Sequence, residues 1–374
     1  MKNILSIDGG GIRGIIPAML LAHIEHTTQK SVSELFDLVV GTSTGGILAC
    51  ALTRSNIFQE GRVGNDNTAQ TGDQFHAESI TSDGEATSHF GAASAVGEPP
   101  GHGQVDHLAQ PTQAQARQKI GTTPLYQARD LVELYRDRGR DVFTSSTWQR
   151  LTTLGGVLDE LYNHEGLEAV LHHYLGESRL IDAITPTMVT AYDLERRKTI
   201  FFKSWRERFE DISCVQACRA TSAAPTYFEP AVFELDGAER ALIDGGVFIN
   251  SPSVSAYAEA IKLFPGEDFQ LLSLGTGELT RPLPIEDSRT WGKAGWLLPL
   301  LSCMFDGMAD AADHQMTLFL GERYQRFQLN LVGASDDMDD ASADNIERLQ
   351  DLAHQLIKTE SDRLNRVCEQ LVID

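Results

Sequence analysis

Two periodicities of apolar residues alternate along this chain. Short runs in which nearly every position is apolar, Asn3–Ile7, Leu35–Val40 and Gln270–Leu274, read as buried strands. The spacing of Leu131, Leu134 and Tyr135 within Ala128–Arg138 is instead that of a helix with one buried face. Helical patterning also covers about Arg13–Gln29, Gly46–Leu52, Ser253–Phe264 and Asp344–Val372. Pro186–Tyr192, Lys198–Lys203, Ala231–Leu235 and Ala241–Ile243 alternate as strands do. Strands interleaved with helices predict a layered α/β fold around a mainly parallel sheet.

The pattern breaks once. From Ser55 to Gly121 the text turns to Gly, Ala, Gln, Ser, Thr, Asp and His, with few aliphatic residues. Such a stretch buries too little apolar area to offset its ordering entropy, so it is expected to be a mobile insertion. The expected organisation is a catalytic domain from 1–54 and 122–280, the insertion at 55–121, and a helical C-terminal extension, 281–374, packed on that domain.

Composition narrows the function classes. The formal net charge of -22, from 31 basic and 53 acidic residues, argues against a nucleic-acid partner and against a polybasic grip on anionic lipid. No apolar run is long enough to span a membrane, and the run after Met1-Lys2-Asn3 is too short for a signal-peptide core. The five cysteines include no CxxC pair, and Cys214 and Cys218 have no neighbours that would complete a zinc set. A cytoplasmic protein with reduced thiols and no metal is expected.

Three short motifs carry the candidate chemistry. Gly41-Thr42-Ser43-Thr44-Gly45 fits G-x-S-x-G between an apolar strand and a small-residue helix, where Gly41 and Gly45 would clear space around a strained nucleophile turn. Read alone, it is equally a Gly/Ser turn linking strand to helix. Asp8 to Gly14, Asp-Gly-Gly-Gly-Ile-Arg-Gly, also follows a strand and opens a helix. Its Gly9, Gly11 and Gly14 satisfy the dinucleotide fingerprint, but Asp8 would set a carboxylate beside a pyrophosphate, and Glu34 precedes an apolar run instead of ending one. The other reading is a set of backbone N–H groups at a helix start, suited to an oxyanion. Asp244-Gly245-Gly246 ends a strand, placing a carboxylate where glycines leave room; Asp236-Gly237 reads as a hairpin turn.

In this order the three motifs resemble the patatin-like phospholipase family, whose pattern is a D-G-G-G-x-R-G oxyanion loop, a G-x-S-x-G elbow and a D-G-G or D-G-A base. Ala220 to Phe228 and Gly245 to Pro252 are similar to family text as well, so the resemblance covers roughly Met1 to Gly277. It implies a layered α/β/α fold with a helical C-terminal part. It assigns Ser43 as nucleophile, Asp244 as its base without any histidine, and backbone N–H groups of Gly10, Gly11 and Arg13 as the oxyanion hole. Gly9, Gly14, Gly41, Gly45, Gly245 and Gly246 are its motif glycines. The implied activity is a lipid acyl hydrolase of phospholipase A or lysophospholipase type that needs no cofactor. Membrane phospholipid or lysophospholipid is the implied substrate, with transient peripheral membrane contact and room for an unidentified activator; the oligomeric state is left open.

Rival readings use the same residues or their neighbours. Acyl transfer to an alcohol acceptor would employ the same dyad, and a nucleotide-binding regulator would employ the glycine loop. A regulated effector that damages a host membrane is a third. A Ser-His-Asp triad would need His314 or His354, both in helix-like text, and His172-His173 reads as a helix face. Trp291, Trp296, Leu297, Leu298, Leu300 and Leu301 are read as part of a core helix ahead of the alternative, an interfacial lip. Asp336 to Asp344 reads as a solvated acidic loop.

Overall fold

The computed structural model describes residues 1–56, 123–143, 162, 164–292 and 295–373. Nearly all of the stretch expected as an insertion therefore lies outside the described residues. Its flanks lie side by side: Ser55 and Pro124 form an antiparallel bridge, and the Asn56 side chain donates to Thr123 Oγ1 at 2.8 Å.

Strand β1 (Lys2–Ile7) leads through the glycine loop and a tight turn (Gly11–Gly14) into α1 (Ile15–Thr28). Strand β2 (Leu38–Gly41) is followed at once by α2 (Thr44–Leu52), and then by α3 (Ala128–Val142) and α4 (His164–Leu175). Strands β3 (Thr187–Asp193) and β4 (Lys198–Lys203) precede α5 (Cys214–Thr221) and the hairpin of β5 (Ala231–Leu235) and β6 (Ala238–Asp244). The chain ends with α6 (Ser253–Leu263), β7 (Phe269–Leu274), α7 (Leu297–Leu320), β8 (Tyr324–Phe327), α8 (Ala343–Thr359) and α9 (Ser361–Leu371).

The sheet runs in the order β5-β6-β3-β2-β1-β7-β8, with β4 also on β3. Strands β3, β2, β1, β7 and β8 are parallel neighbours, whereas β4 and β6 run antiparallel to β3 and β5 antiparallel to β6. Alternation along each central strand divides the interior into two layers. Leu5, Ile7, Val39, Val189 and Leu272 enter a core shared with α1, α2, α3 and α8. Ile4, Leu38, Val40, Met188 and Leu271 face the opposite way, onto α6 and the far end of α7. The result is a three-layer α/β/α arrangement around a mixed, mostly parallel sheet. None of the described helices is long and apolar enough to cross a membrane.

Local chemistry moved several expected boundaries. The apolar run from Leu35 begins later as a strand because Val32–Leu35 is a helical turn, held by Glu34 accepting from the Ser31 backbone at 2.8 Å and hydroxyl at 2.7 Å. The Asp344–Val372 helix is two helices, broken at Glu360. The stretch from Trp291 is not a core helix: Trp296 and Leu300, at the start of α7, are 41% and 49% exposed, because only the later part of that helix reaches the sheet. Asp236 and Gly237, both at positive φ, are the two-residue turn of the β5–β6 hairpin.

One buried carboxylate ties the frame of α1 to α3. Glu25 on α1 accepts the backbone N–H of Val32 at 2.9 Å and of Ala128 at 2.7 Å, and burial pushes its pKa up against those two bonds. Glu25→Ala leaves both donors buried without a partner, so a loss of about 3 kcal/mol in unfolding free energy is expected. Glu25→Gln, which keeps one acceptor oxygen, is expected to lose about half as much in the same urea titration.

Candidate active site

Strands β2 and β6 end against the same edge of β3. Strand β4 occupies the other edge of β3 from Met188 to Asp193, while β2 covers Thr187 to Val189 and β6 covers Ala191 to Asp193. Because β2 is parallel to β3 and β6 antiparallel, their carboxyl ends point at one another. Gly41 pairs with Val189 and Asp244 with Ala191, two positions apart or roughly 7 Å along the strand. Thr190 sits between them, and its hydroxyl bonds that of Thr42 at 2.8 Å.

Ser43 occupies the sharp turn out of β2, with φ 54° and ψ -125°. A side chain in that region costs on the order of 1–3 kcal/mol and persists only where its surroundings fix it. Here its N–H donates to Thr221 Oγ1 at 2.8 Å, and its carbonyl accepts from Gly46 at 2.8 Å and Ile47 at 3.2 Å, opening α2. The flanking glycines are dictated by close approach: a Cβ on Gly41 would collide with the Gly45 carbonyl, and one on Gly45 with the Ile7 carbonyl.

Asp244, the last residue of β6, is 2% exposed. Its carboxylate accepts the Gly246 N–H at 2.7 Å, and the Ser43 hydroxyl beside it favours the ionised form. Burial nevertheless pushes its pKa up to about 7 against both influences. Gly245 packs its backbone on Thr190, where a side chain would not fit. Asp236 lies apart from the site, held by Arg196 at 2.7 Å and Arg208 at 2.6 Å, and these hydrogen bonds pull its pKa down to about 2.

The glycine loop is fixed at several points. Gly9 N–H donates to the Asn250 carbonyl at 3.1 Å, Thr276 Oγ1 donates to the Gly9 carbonyl at 2.6 Å, and Ile12 N–H donates to the Met338 carbonyl at 2.9 Å. Gly14 leads into α1 against Thr44 and Tyr135, whose hydroxyls bond each other. Among the described residues, the N–H groups of Gly10 and Gly11 have no acceptor, and both glycines line the cleft at Ser43. The Arg13 N–H, expected beside them, donates to the Gly10 carbonyl at 3.2 Å, as does Arg13 Nε, so it is spent on holding the turn. Asp8 is paired to Arg326 at 2.8 Å beneath the loop.

The Met338 contact corrects the reading of Asp336 to Asp344 as merely solvated. Asp336 caps the Thr280 and Arg281 N–H groups at 3.1 and 2.9 Å, Asp339 takes the Tyr162 hydroxyl at 2.6 Å, and Met338 closes over Gly11, which has φ +59°. Those bonds to distant backbone hold the loop down. From Ser43 a narrow cleft with a cavity volume of about 70 Å³ runs between α3 and α4, walled by Leu134, Phe143, Leu167, Leu171 and Phe228. His314 and His354 are exposed on α7 and α8 and do not line it. Thr190, Thr221 and Met338 escaped the sequence reading; only Thr221, within the Ala220–Phe228 text, carried any signal.

This geometry can be set beside known proteins. A model of the patatin-like phospholipases matches residues 5–257, more than half of the chain. The chain belongs to the patatin-like phospholipase family. It is therefore a member of a family of lipid acyl hydrolases, esterases acting on carboxylic esters. Among similar proteins, patatin-like protein 2 of Oryza sativa is 25% identical over 98% of this chain and 86% of its own. Patatin-2-Kuras 3 of Solanum tuberosum is 26% identical over 96% of this chain and 84% of its own. The crystal structure of VipD from Legionella pneumophila is 10% identical over 96% of this chain and 67% of that one, with a TM-score of 0.35.

The hold of Thr221 on the Ser43 amide yields a test. Thr221→Val removes the acceptor and leaves a strained turn with a buried donor, so labelling of Ser43 by a fluorophosphonate is expected to slow about tenfold. Thr221→Ser, which keeps the oxygen, is expected to label at nearly the original rate.

Proposed function

We propose that this chain cleaves the carboxylic ester of a membrane phospholipid or lysophospholipid through an acyl-enzyme on Ser43, with Asp244 as general base. The observation that carries this reading is the placement of Ser43 with a buried carboxylate, Asp244, whose pKa is raised to about 7, at the head of an apolar cleft. A base near neutrality takes a proton more readily than an ordinary carboxylate while staying ionised at physiological pH.

Ser43 Oγ attacks the ester carbonyl carbon as its proton passes to Asp244. The carbonyl oxygen gains the electron pair and is held by the N–H groups of Gly10 and Gly11, a contribution worth about 100-fold or more per donor. Collapse of the intermediate breaks the ester C–O bond, and the proton on Asp244 goes to the departing alcohol. Water then repeats the sequence on the acyl-serine, giving the free acid and restoring the dyad. The acyl chain lies in the apolar cleft between α3 and α4. Transient contact with a lipid surface is supported by Trp296, Leu300 and Met304, spaced along one exposed face of α7 and respectively 41%, 49% and 36% exposed.

Release of fatty acid from mixed phospholipid and lysophospholipid vesicles tests the reading. Wild type is expected to release it, Ser43→Ala and Asp244→Asn to release none, and Asp236→Asn to match wild type. Activity surviving in Asp244→Asn would overturn the assignment of the base. The kcat/KM is expected to rise about tenfold per pH unit and level off above about pH 7, since only the ionised carboxylate accepts the proton. Stability runs the other way. A folded pKa of about 7 against 3.8 means the native state holds the extra proton between those values, so stability contributed by this group falls as pH rises across that window. Asp244→Asn is therefore expected to raise the melting temperature more at pH 8 than at pH 5.

A further inference from the structure

A second, more polar cleft meets the first at Tyr227, Asn250, Phe305 and Met338. Its inner wall is Arg13, 6% exposed, whose only side-chain hydrogen bond among the described residues is from Nε to the Gly10 carbonyl. Arg13 Nη1 is buried with no partner, and no carboxylate lies within ion-pairing distance of the guanidinium among those residues. A guanidinium has five donors in a planar fork, so this one faces the cleft with most of them unused.

The outer wall has the opposite sign. Six carboxylates line the cleft against three guanidinium groups. Asp8 is paired with Arg326, and Asp336 and Asp337 with Arg281. Glu278, Asp306 and Asp310 are exposed and have no cationic partner among the described residues. The three lie close enough to act on one another: Asp306 has its pKa raised by burial and further by Asp310 and Glu278, with Arg13 opposing. They are not gathered tightly enough to cage a metal ion. The Trp291 indole lines the same space.

We propose that this cleft is the subsite for a zwitterionic phosphodiester headgroup of the phosphocholine type, its phosphate on Arg13 and its quaternary ammonium among Glu278, Asp306, Asp310 and Trp291. The charge order decides the class. A ligand that is negative at depth and positive at the rim satisfies the buried guanidinium and the exposed carboxylates together, whereas a purely anionic headgroup meets repulsion at the rim. An indole face adds attraction for an alkylated ammonium that cannot donate hydrogen bonds. The assignment rests on the Ser43 acyl hydrolase reading for its meaning as a substrate pocket, since the cleft shares Tyr227, Asn250, Phe305 and Met338 with the apolar cleft that Ser43 lines.

The test compares glycerophosphocholine with glycerophosphoglycerol, which has the same phosphodiester and no cation, by NMR titration of the wild-type chain at low ionic strength. Glycerophosphocholine is expected to bind at least about tenfold more tightly. In the double variant Asp306→Asn/Asp310→Asn that preference is expected to fall about fivefold, in line with two exposed charge interactions. Both positions are exposed, so the melting temperature should match wild type. Equal affinities, no binding of either compound at millimolar concentration, or a preference undiminished in the double variant would each overturn the subsite. Turnover of a p-nitrophenyl acyl ester, which has no headgroup, separates the two readings. Turnover with equal headgroup affinities removes the subsite alone; a headgroup preference without turnover removes the hydrolase reading alone.

Discussion

Strands β2 and β6 approach each other head on along a single edge of β3, and the site exists because they stop two positions apart. A fully parallel sheet would send all of its carboxyl ends to one side of the molecule and would leave Asp244 beside the serine only through a loop. Reversing β6 brings a strand-borne carboxylate to Ser43 directly. The reversal requires the β5–β6 hairpin, hence the positive φ at Asp236 and Gly237, and the small residues at Gly41 and Gly245 where backbones crowd Thr190 and α2. Both residues are held in costly states: a serine at φ 54° and a carboxylate 2% exposed. Two apolar layers above and below the central strands supply the stability that these states consume.

How much of this was legible in the text follows from the range of each constraint. The glycine loop, the elbow and the Asp-Gly-Gly end of β6 are signatures of backbone geometry within a few residues, so the sequence reports them. The strands of the centre were equally plain, because burial on both faces makes most of their positions apolar. Four-residue β8 and eight-residue α5 offer too few positions for a period to emerge. Thr190 and Thr221 act across 148 and 178 residues, where an ordinary threonine in an ordinary pattern gives no sign of its partner. The segment from Asp336 was misread for a related reason. It binds the glycine loop through the Met338 carbonyl, and a backbone acceptor has no signature in any alphabet of side chains.

That backbone contact changes what the C-terminal third of the chain is for. Helices α8 and α9 bury Ile346, Leu349, Leu364 and Val367 in the same core as α1, which anchors the segment from both directions. The loop between β8 and α8 is therefore held against Gly11 and Ile12 by packing and by hydrogen bonds together. Gly10 and Gly11 must keep their N–H groups aimed at one point for an oxyanion to be stabilised without reorganisation. Arg13 serves the same end from the other side, gripping the Gly10 carbonyl with both N–H and Nε. Its guanidinium then projects away from the serine, into the second cleft.

The two clefts divide an amphiphile along its own polarity. The cleft that Ser43 lines is aliphatic and aromatic between α3 and α4, and the cleft that meets it at Tyr227, Asn250, Phe305 and Met338 is charged. On the proposed reading, an ester at the boundary of a lipid's tail and head would reach Ser43 only when each end sits in the matching cleft, so orientation would come from solvation and not from shape alone. The overall charge of -22 acts in the same direction at longer range. An acidic chain is repelled by anionic membranes over about a Debye length, roughly 8 Å in physiological salt, and finds no such barrier at a zwitterionic surface. The membrane contacts proposed for Trp296 and Leu300 would form only within that distance. On the proposed reading, long-range repulsion and the rim of carboxylates would select against the same headgroups, first at the membrane and then at the site.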